Sequence, residues 1–155
     1  MRFSANLGFL WANYQLPEAI QKAKDAGFDA VECHWPYKFN AYNVRRALNK
    51  AQLLMLGLNT QRGKINEGEN GLAALPTSIS RARESIDEAI TYAAITGTPN
   101  IHVMAGFSRG KKAHETFVEN LRYACSKSAS TTFLIEPLNT YDAPGYFLQT
   151  TEQAI

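Results

Sequence analysis

The chain has 155 residues, 45% of them hydrophobic and 19% charged, with 16 Lys and Arg against 14 Asp and Glu. That composition belongs to an ordinary globular protein long enough to bury a core, and neither a disordered nor a fibrous chain has it. The basic residues are scattered rather than clustered, so neither a nucleic-acid nor a membrane footprint is expected.

The first strand is predicted over Arg2–Phe9, ending in polar Asn6 and Gly8. Pro17–Ala26 reads as a helix, with Pro17 in the first turn, apolar Ala19, Ile20 and Ala23, and Gly27 as the stop. Phe28–Trp35 is a second strand, and Val44, Ala47, Leu48 and Ala51 mark a second helix by their spacing. Leu53–Asn59 is a third strand, followed by the long polar loop Gln61–Pro76. Ile79, Ala82, Ile86, Ala89, Ile90 and Ala93 line a third helix that ends at Gly97. A fourth strand covers Asn100–Ala105, and a fourth helix carries Ala113, Phe117, Leu121, Ala124 and Cys125. A fifth strand covers Thr131–Leu138, and Thr151–Ile155 begins a further helical run.

Apolar strands alternating with amphipathic helices imply an α/β fold with a parallel sheet covered by helices. An open doubly wound sheet suits the length. The loops point instead to a (β/α)8 TIM barrel, because the first strand-to-helix turn holds no GxGxxG cradle. Polar groups gather after nearly every strand: Asn6, Glu32 with His34, Asn59, His102, and Glu136 with Asn139. That is the pattern of a barrel's C-terminal face. A full barrel takes about 250 residues, so residues 1–155 are read as a single domain holding about the first five βα units.

Two cysteines, Cys33 and Cys125, sit in separate apolar segments without a CxxC pattern, and buried free thiols are expected. No leader-like or membrane-spanning stretch stands out, which suggests a cytoplasmic protein.

Glu136 is the sharpest chemical signal. It lies near the end of an apolar run, where an unpaired buried carboxylate is costly. A structural ion pair would satisfy it. Asn139 and Asp142 follow within one turn, however, and such a cluster suits a hydroxylated substrate or a hard divalent cation. A partly buried Glu could also transfer protons near neutral pH. The Gln61–Pro76 loop reads as a solvated loop or as a lid in which Arg62 or Lys64 reaches an anionic substrate. His34 and His102 are single histidines in apolar strands, and a hydrogen-bonded core role is the first expectation for each. Glu32 is either a second carboxylate near the site or half of an ion pair.

With these residues placed, the sequence resembles the hydroxypyruvate isomerase family of xylose-isomerase-like TIM barrels. The resemblance runs through RFSANL (Arg2–Leu7), AGFDAVE (Ala26–Glu32), GLNT (Gly57–Thr60), GENGLAALP (Gly68–Pro76) and FVENLRYA (Phe117–Ala124). It is most specific in LIEPLNTYDAPGYFL (Leu134–Leu148). The resemblance implies isomerisation of hydroxypyruvate to tartronate semialdehyde, or of a related 2-oxo sugar acid, by carboxylate proton transfer through an enediolate. It assigns Glu136 as one of two catalytic glutamates, the second belonging to a later strand. In metal-dependent relatives the same Glu ligates a divalent cation, so Mg or Mn is an open option with Glu136 as ligand. Asn59, Arg62, Lys64, Asn139 and Asp142 are the expected substrate contacts. A small hydroxy-oxo acid is the expected partner, with no nucleic acid and no membrane, and unpaired edge strands leave room for a homo-oligomer. A catalytically incomplete half-barrel and a sugar epimerase of the same superfamily are the alternatives.

Overall fold

The computed structural model describes residues 1–155, and the backbone forms two compact units. The first comprises Met1–Asn59 and Ala89–Ile101, the second Thr60–Glu88 and His102–Ile155.

In the first unit, strands β1 (Ser4–Asn6), β2 (Ala30–Glu32) and β3 (Leu54–Met55) form a parallel sheet in the order β1-β2-β3. Ala5 faces Val31 and Val31 faces Met55 across this ladder, and all three are buried. Helix α1 (Leu16–Asp25) starts at Pro17, whose fixed φ suits a first turn. Glu18 near its start and Lys22 and Lys24 near its end complement the helix dipole. Gly27, at φ +85°, takes the left-handed turn that leads into β2. Helix α2 (Ala41–Ala51) is capped by Asn40, whose Oδ1 accepts the N–H groups of Tyr42 and Asn43 at 3.1 and 3.2 Å. Its Val44, Leu48 and Ala51 are buried, as are Ala19, Ile20 and Ala23 of α1. Each large apolar side chain so buried contributes about 1.5–3 kcal/mol.

The third predicted strand is divided. After β3 the chain continues as β4 (Gly57–Asn59), which belongs to a second sheet ordered β4-β5-β6 while Gly57 O still accepts Cys33 N–H and Asn59 N–H still donates to His34 O. Strand β5 (Asn100–His102) passes from the first unit to the second at His102, as helix α3 (Ile79–Thr96) does between Glu88 and Ala89. Strand β6 is Thr132–Leu134. Every strand is shorter than predicted, because apolar character runs past the ladder, as at the buried Leu7, Cys33 and Val103–Ala105 that follow β1, β2 and β5. Helix α4 (Gly110–Lys127) buries Ala113, Thr116, Phe117, Asn120 and Ala124. Cys125 falls one position outside that stripe and is exposed, while Cys33 is buried, so the expectation of two buried thiols holds for Cys33 alone. No helix is long and apolar enough to cross a membrane.

The Gln61–Pro76 segment is a built wall of the second unit. It contains a short 3-10 turn at Ile65–Glu67, and Leu72, Ala73 and Ala74 are buried. The N–H groups of Leu72 and Ala73 donate to Met104 O, that of Ala74 donates to Ala105 O, and Gly71 bridges Ala105. Gly71 and Gly106 lie so close that a Cβ on Gly106 would stand 2.1 Å from Gly71 O, so the contact requires glycine. Asn120 Nδ2, inside the core, donates to Ala73 O at 2.9 Å. Arg81 grips both oxygens of Glu69, at 2.9 and 2.6 Å, and Glu69 Oε2 also accepts Lys64 N–H.

The Arg81 fork holds the Glu69 carboxyl at about 2, against its usual 4.5, with the Lys64 N–H helping and partial burial opposing. A carboxyl lowered on folding stabilises the fold above its unfolded value, and that stabilisation is lost as pH falls through the folded value. A half-exposed fork contributes about 1 kcal/mol, equivalent to about 2–4 °C in this size range. Glu69→Gln should therefore lower Tm by about 2–4 °C at pH 7, and the difference from the parent should vanish as pH drops from 4.5 to about 2. Calorimetry over that range checks it, and a difference independent of pH would contradict the assignment. Tyr146, 1% exposed, accepts the Ala105 N–H at 2.9 Å through its phenol oxygen. Tyr146→Phe strands that donor and should cost about 1–3 kcal/mol in urea unfolding with an unchanged m-value.

Candidate active site

The exit of β5 in the second unit is held from two sides. Thr60 N–H donates to His102 O at 2.9 Å, and Thr60 Oγ1 accepts Met104 N–H at 3.0 Å. Val103 N–H donates to Leu134 O at 2.9 Å, tying the end of β6 to the same exit. These bonds fix His102, a buried residue, and set Glu136 two residues beyond β6. His102 Nδ1 and Glu136 Oε2 are 3.6 Å apart. The histidine side chain is 10% exposed and the carboxylate 62%, so the pair joins a fixed, nearly dry imidazole to a carboxylate open to solvent.

That exposure corrects the expectation of a buried strand carboxylate. Leu134 of β6 is itself 44% exposed. Glu136 is nevertheless partnered. At 3.6 Å the contact is electrostatic and longer than a good hydrogen bond, which leaves the carboxylate oxygens available to a third group.

Two residues beyond this carboxylate, Leu138 N–H donates to Leu148 O at 3.0 Å, which ties the Glu136 segment to the segment that carries Tyr146. Burial pushes its phenol up, the N–H groups of Ala105 and Gly106 pull it down, and the charge of Glu136 pushes it up again. The phenol therefore keeps its proton at neutral pH. Its ring meets Phe107 edge-on at 5.9 Å across an antiparallel bridge between the two residues. Both rings, with Phe147, wall an open cavity of about 550 Å³ that Ser108, Arg109 and Gln149 also line.

The other expected contacts are distributed differently. Asn139 Nδ2 donates to Asp142 Oδ2 at 2.9 Å, and Asn139 Oδ1 accepts the N–H groups of Tyr141 and Asp142. Both side chains thus build an exposed turn after Glu136. Arg62 Nε donates to Asn70 Oδ1 at 2.8 Å, and Lys64 Nζ pairs with Glu67 at 2.9 Å, so both loop cations hold the loop's own shape. Asn59 ends the first unit, its carbonyl accepting the Tyr37 hydroxyl and its N–H donating to His34 O. Glu32 is half-buried in that unit, where its carbonyl accepts Leu7 N–H at 2.8 Å.

For a divalent cation, His102 and Glu136 offer one nitrogen and one carboxylate. No group of three His, Cys, Asp or Glu side chains converges to complete a site. The residues present do not by themselves fit the cation that the resemblance left open.

The first unit has its own polar cluster. Asn6 Oδ1 accepts Gly8 N–H at 2.8 Å, which turns Asn6 Nδ2 toward His34 Nε2 at 2.9 Å. The amide nitrogen can only donate, so Nε2 accepts and neutral His34 carries its proton on Nδ1. The ring lies so close to the backbone that a Cβ on Gly8 would be 2.4 Å from His34 Nδ1. Trp11 adopts φ 55°, rare for a bulky residue, and lines a cavity of about 140 Å³ with His34, Trp35 and Lys38. Cys33 on the same wall is pushed up to about 11 by burial, so it is a packed thiol and no nucleophile at neutral pH.

His102, Thr60, Tyr146 and Arg109 were not among the expected site residues. Of these, only His102 carried a sequence signal, as a lone imidazole at the end of an apolar strand.

Comparisons with known proteins agree with this architecture. The xylose isomerase-like TIM barrel family matches residues 20–155. The chain is 35% identical to hydroxypyruvate isomerase of Escherichia coli K12, over all of this chain and 62% of the relative. It is 38% identical to 2-oxo-tetronate isomerase of Cupriavidus necator, over 95% of this chain and 59% of the relative. A crystal structure described as AP endonuclease, family 2, from Brucella melitensis superposes with a TM-score of 0.90 at 38% identity, over 95% of this chain and 59% of that one. The chain thus spans about three-fifths of the length of the curated relatives it matches. It belongs to the xylose isomerase-like TIM barrel family.

Proposed function

We propose that this chain contributes Glu136 as the proton-transferring carboxylate of an isomerase for short 2-oxo hydroxy acids, with hydroxypyruvate and tartronate semialdehyde as the interconverted pair. The observation that carries the reading is the strand-end pair of Glu136 and His102, 3.6 Å apart and set by the backbone bonds of Thr60 and Leu134. The names of two relatives, a hydroxypyruvate isomerase and a 2-oxo-tetronate isomerase, support the substrate class.

In the forward direction the Glu136 carboxylate takes one proton from the hydroxymethyl carbon of hydroxypyruvate. The electron pair of that C–H bond forms a C=C bond and the carbonyl π pair moves to oxygen, giving an enediolate. Reprotonation at the former carbonyl carbon, with transfer of the hydroxyl proton to the enediolate oxygen, yields tartronate semialdehyde. Atoms and charge balance without a redox partner. His102 steadies the carboxylate through Nδ1, and the protonated Tyr146 phenol keeps that side of the site neutral. Arg62, Lys64, Asn139 and Asp142 complete the proposed surroundings, Arg62 and Lys64 by shaping their loop and Asn139 and Asp142 by shaping the turn after Glu136. The second glutamate implied by the resemblance would return the proton from the opposite side.

A second reading, in which the chain binds the acid without turning it over, is favoured by the single carboxylate, Glu136, paired with His102 at this strand exit, where the resemblance implies two glutamates. One experiment separates the two. The chain is incubated with hydroxypyruvate in D₂O, and deuterium entering the hydroxymethyl carbon is followed by NMR. General acid–base catalysis contributes about 10²–10⁴-fold, so Glu136→Gln should lower exchange by at least about 10²-fold and His102→Asn should lower it less. Exchange unchanged in Glu136→Gln would sink the catalytic reading. Saturable binding without exchange in the parent would establish the second.

A further inference from the structure

The loop cations Arg62 and Lys64 are bonded within their own loop, and Arg109 is a basic residue placed differently. It precedes α4 in extended backbone (φ −157°, ψ 162°) and lines the 550 Å³ cavity with Ser108, Gln149 and the aromatic wall of Phe107, Tyr146 and Phe147. No carboxylate lies within ion-pair distance of it, whereas the nearby Lys111 and Lys112 are both turned to Glu115 at 3.9 and 4.0 Å.

The cavity's walls are fixed. Phe147 N–H donates to Gly106 O at 2.9 Å, and Gln153 Nε2 donates to Phe147 O at 2.8 Å while Gln153 Oε1 accepts Gln149 N–H at 3.0 Å. Phe147 also packs on Phe117 of α4, with ring centres 5.4 Å apart. The volume is in the range of small-molecule sites, which are mostly apolar with a few polar groups for orientation.

We propose that Arg109 receives the carboxylate of the 2-oxo acid in this cavity and so selects acids over neutral ketoses, an inference that rests on the proposed isomerase reading. The cavity wall is tied to the Glu136 segment: Leu138 N–H, two residues beyond Glu136, donates at 3.0 Å to the carbonyl of Leu148, which lies between the lining residues Phe147 and Gln149. An anionic acid entering there is repelled by Glu136 and attracted by Arg109. Those opposed forces turn its carboxylate toward the guanidinium and its hydroxymethyl end toward Glu136. Arginine suits the role because its planar fork meets both oxygens of a carboxylate.

The test is an NMR titration of the 155-residue chain with glycerate, an unreactive acid of the same length, and with neutral dihydroxyacetone. Losing a charge-assisted fork costs about tenfold or more in affinity. Arg109→Gln should therefore weaken glycerate at least about tenfold and leave dihydroxyacetone unchanged, while Arg109→Lys recovers part of the loss. Glu136→Gln removes a repelling charge and should bind glycerate at least as tightly as the parent while losing deuterium exchange, so failure of the isomerase reading and failure of this one give different results. Equal glycerate affinity in the parent and Arg109→Gln, equal weakening of both ligands, or no saturable glycerate binding by the parent would each overturn the proposal.

Discussion

The second unit is organised around the short stretch Met104–Gly106, where β5 has ended but the backbone remains fully engaged. The Leu72 and Ala73 N–H groups reach Met104 O, Ala74 N–H reaches Ala105 O, and Thr60 Oγ1 takes Met104 N–H. On the other side the Tyr146 phenol accepts Ala105 N–H and Gly106 O accepts Phe147 N–H. A buried backbone group left without a partner costs about as much as a lost hydrogen bond. Met104–Gly106 can therefore leave its ladder only because three separate segments supply replacement partners. Two glycines make the approach sterically feasible. His102 lies at one end of this stretch and the aromatic cavity at the other, so the same bonds position both.

The electrostatics follow from that scaffold. Glu136 sits at the open edge of β6 and meets a buried imidazole, while Tyr146 keeps its phenol protonated under burial and the field of Glu136. Glu69, by contrast, is fully committed to Arg81 and to Lys64 N–H. The two carboxylates show how one residue type divides between roles: the one gripped by a fork is structural, and the one with a single long contact remains free to act on a third molecule.

Helices were the most legible part of the sequence. The spacings of Ala19, Ile20 and Ala23 and of Val44, Leu48 and Ala51 map onto buried stripes, and the stop at Gly27 is a left-handed turn. Strand limits were not legible, because Val103, Met104 and Ala105 are as buried beyond β5 as Ile101 is within it. Glu136 could be found from a charge set in an apolar run, although its pairing with His102 could not, since that depends on two strand ends brought together by the fold. The 61–76 loop looked solvated from its glycines and charges, yet Leu72, Ala73 and Ala74 dock onto the β5 exit. Tyr146 and Arg109 gave no signal, because their roles come from a bridge and a cavity joining residues some forty positions apart.

In the proposed reaction Glu136 faces the reacting carbons of a short acid. A crystal structure of the chain with a three-carbon hydroxamate, a stable mimic of the enediolate, tests it most directly. A hydroxamate oxygen should lie within hydrogen-bond reach of the Glu136 carboxylate, about 2.6–3.2 Å, with His102 still behind it. A hydroxamate bound elsewhere, with Glu136 left in solvent, would contradict it.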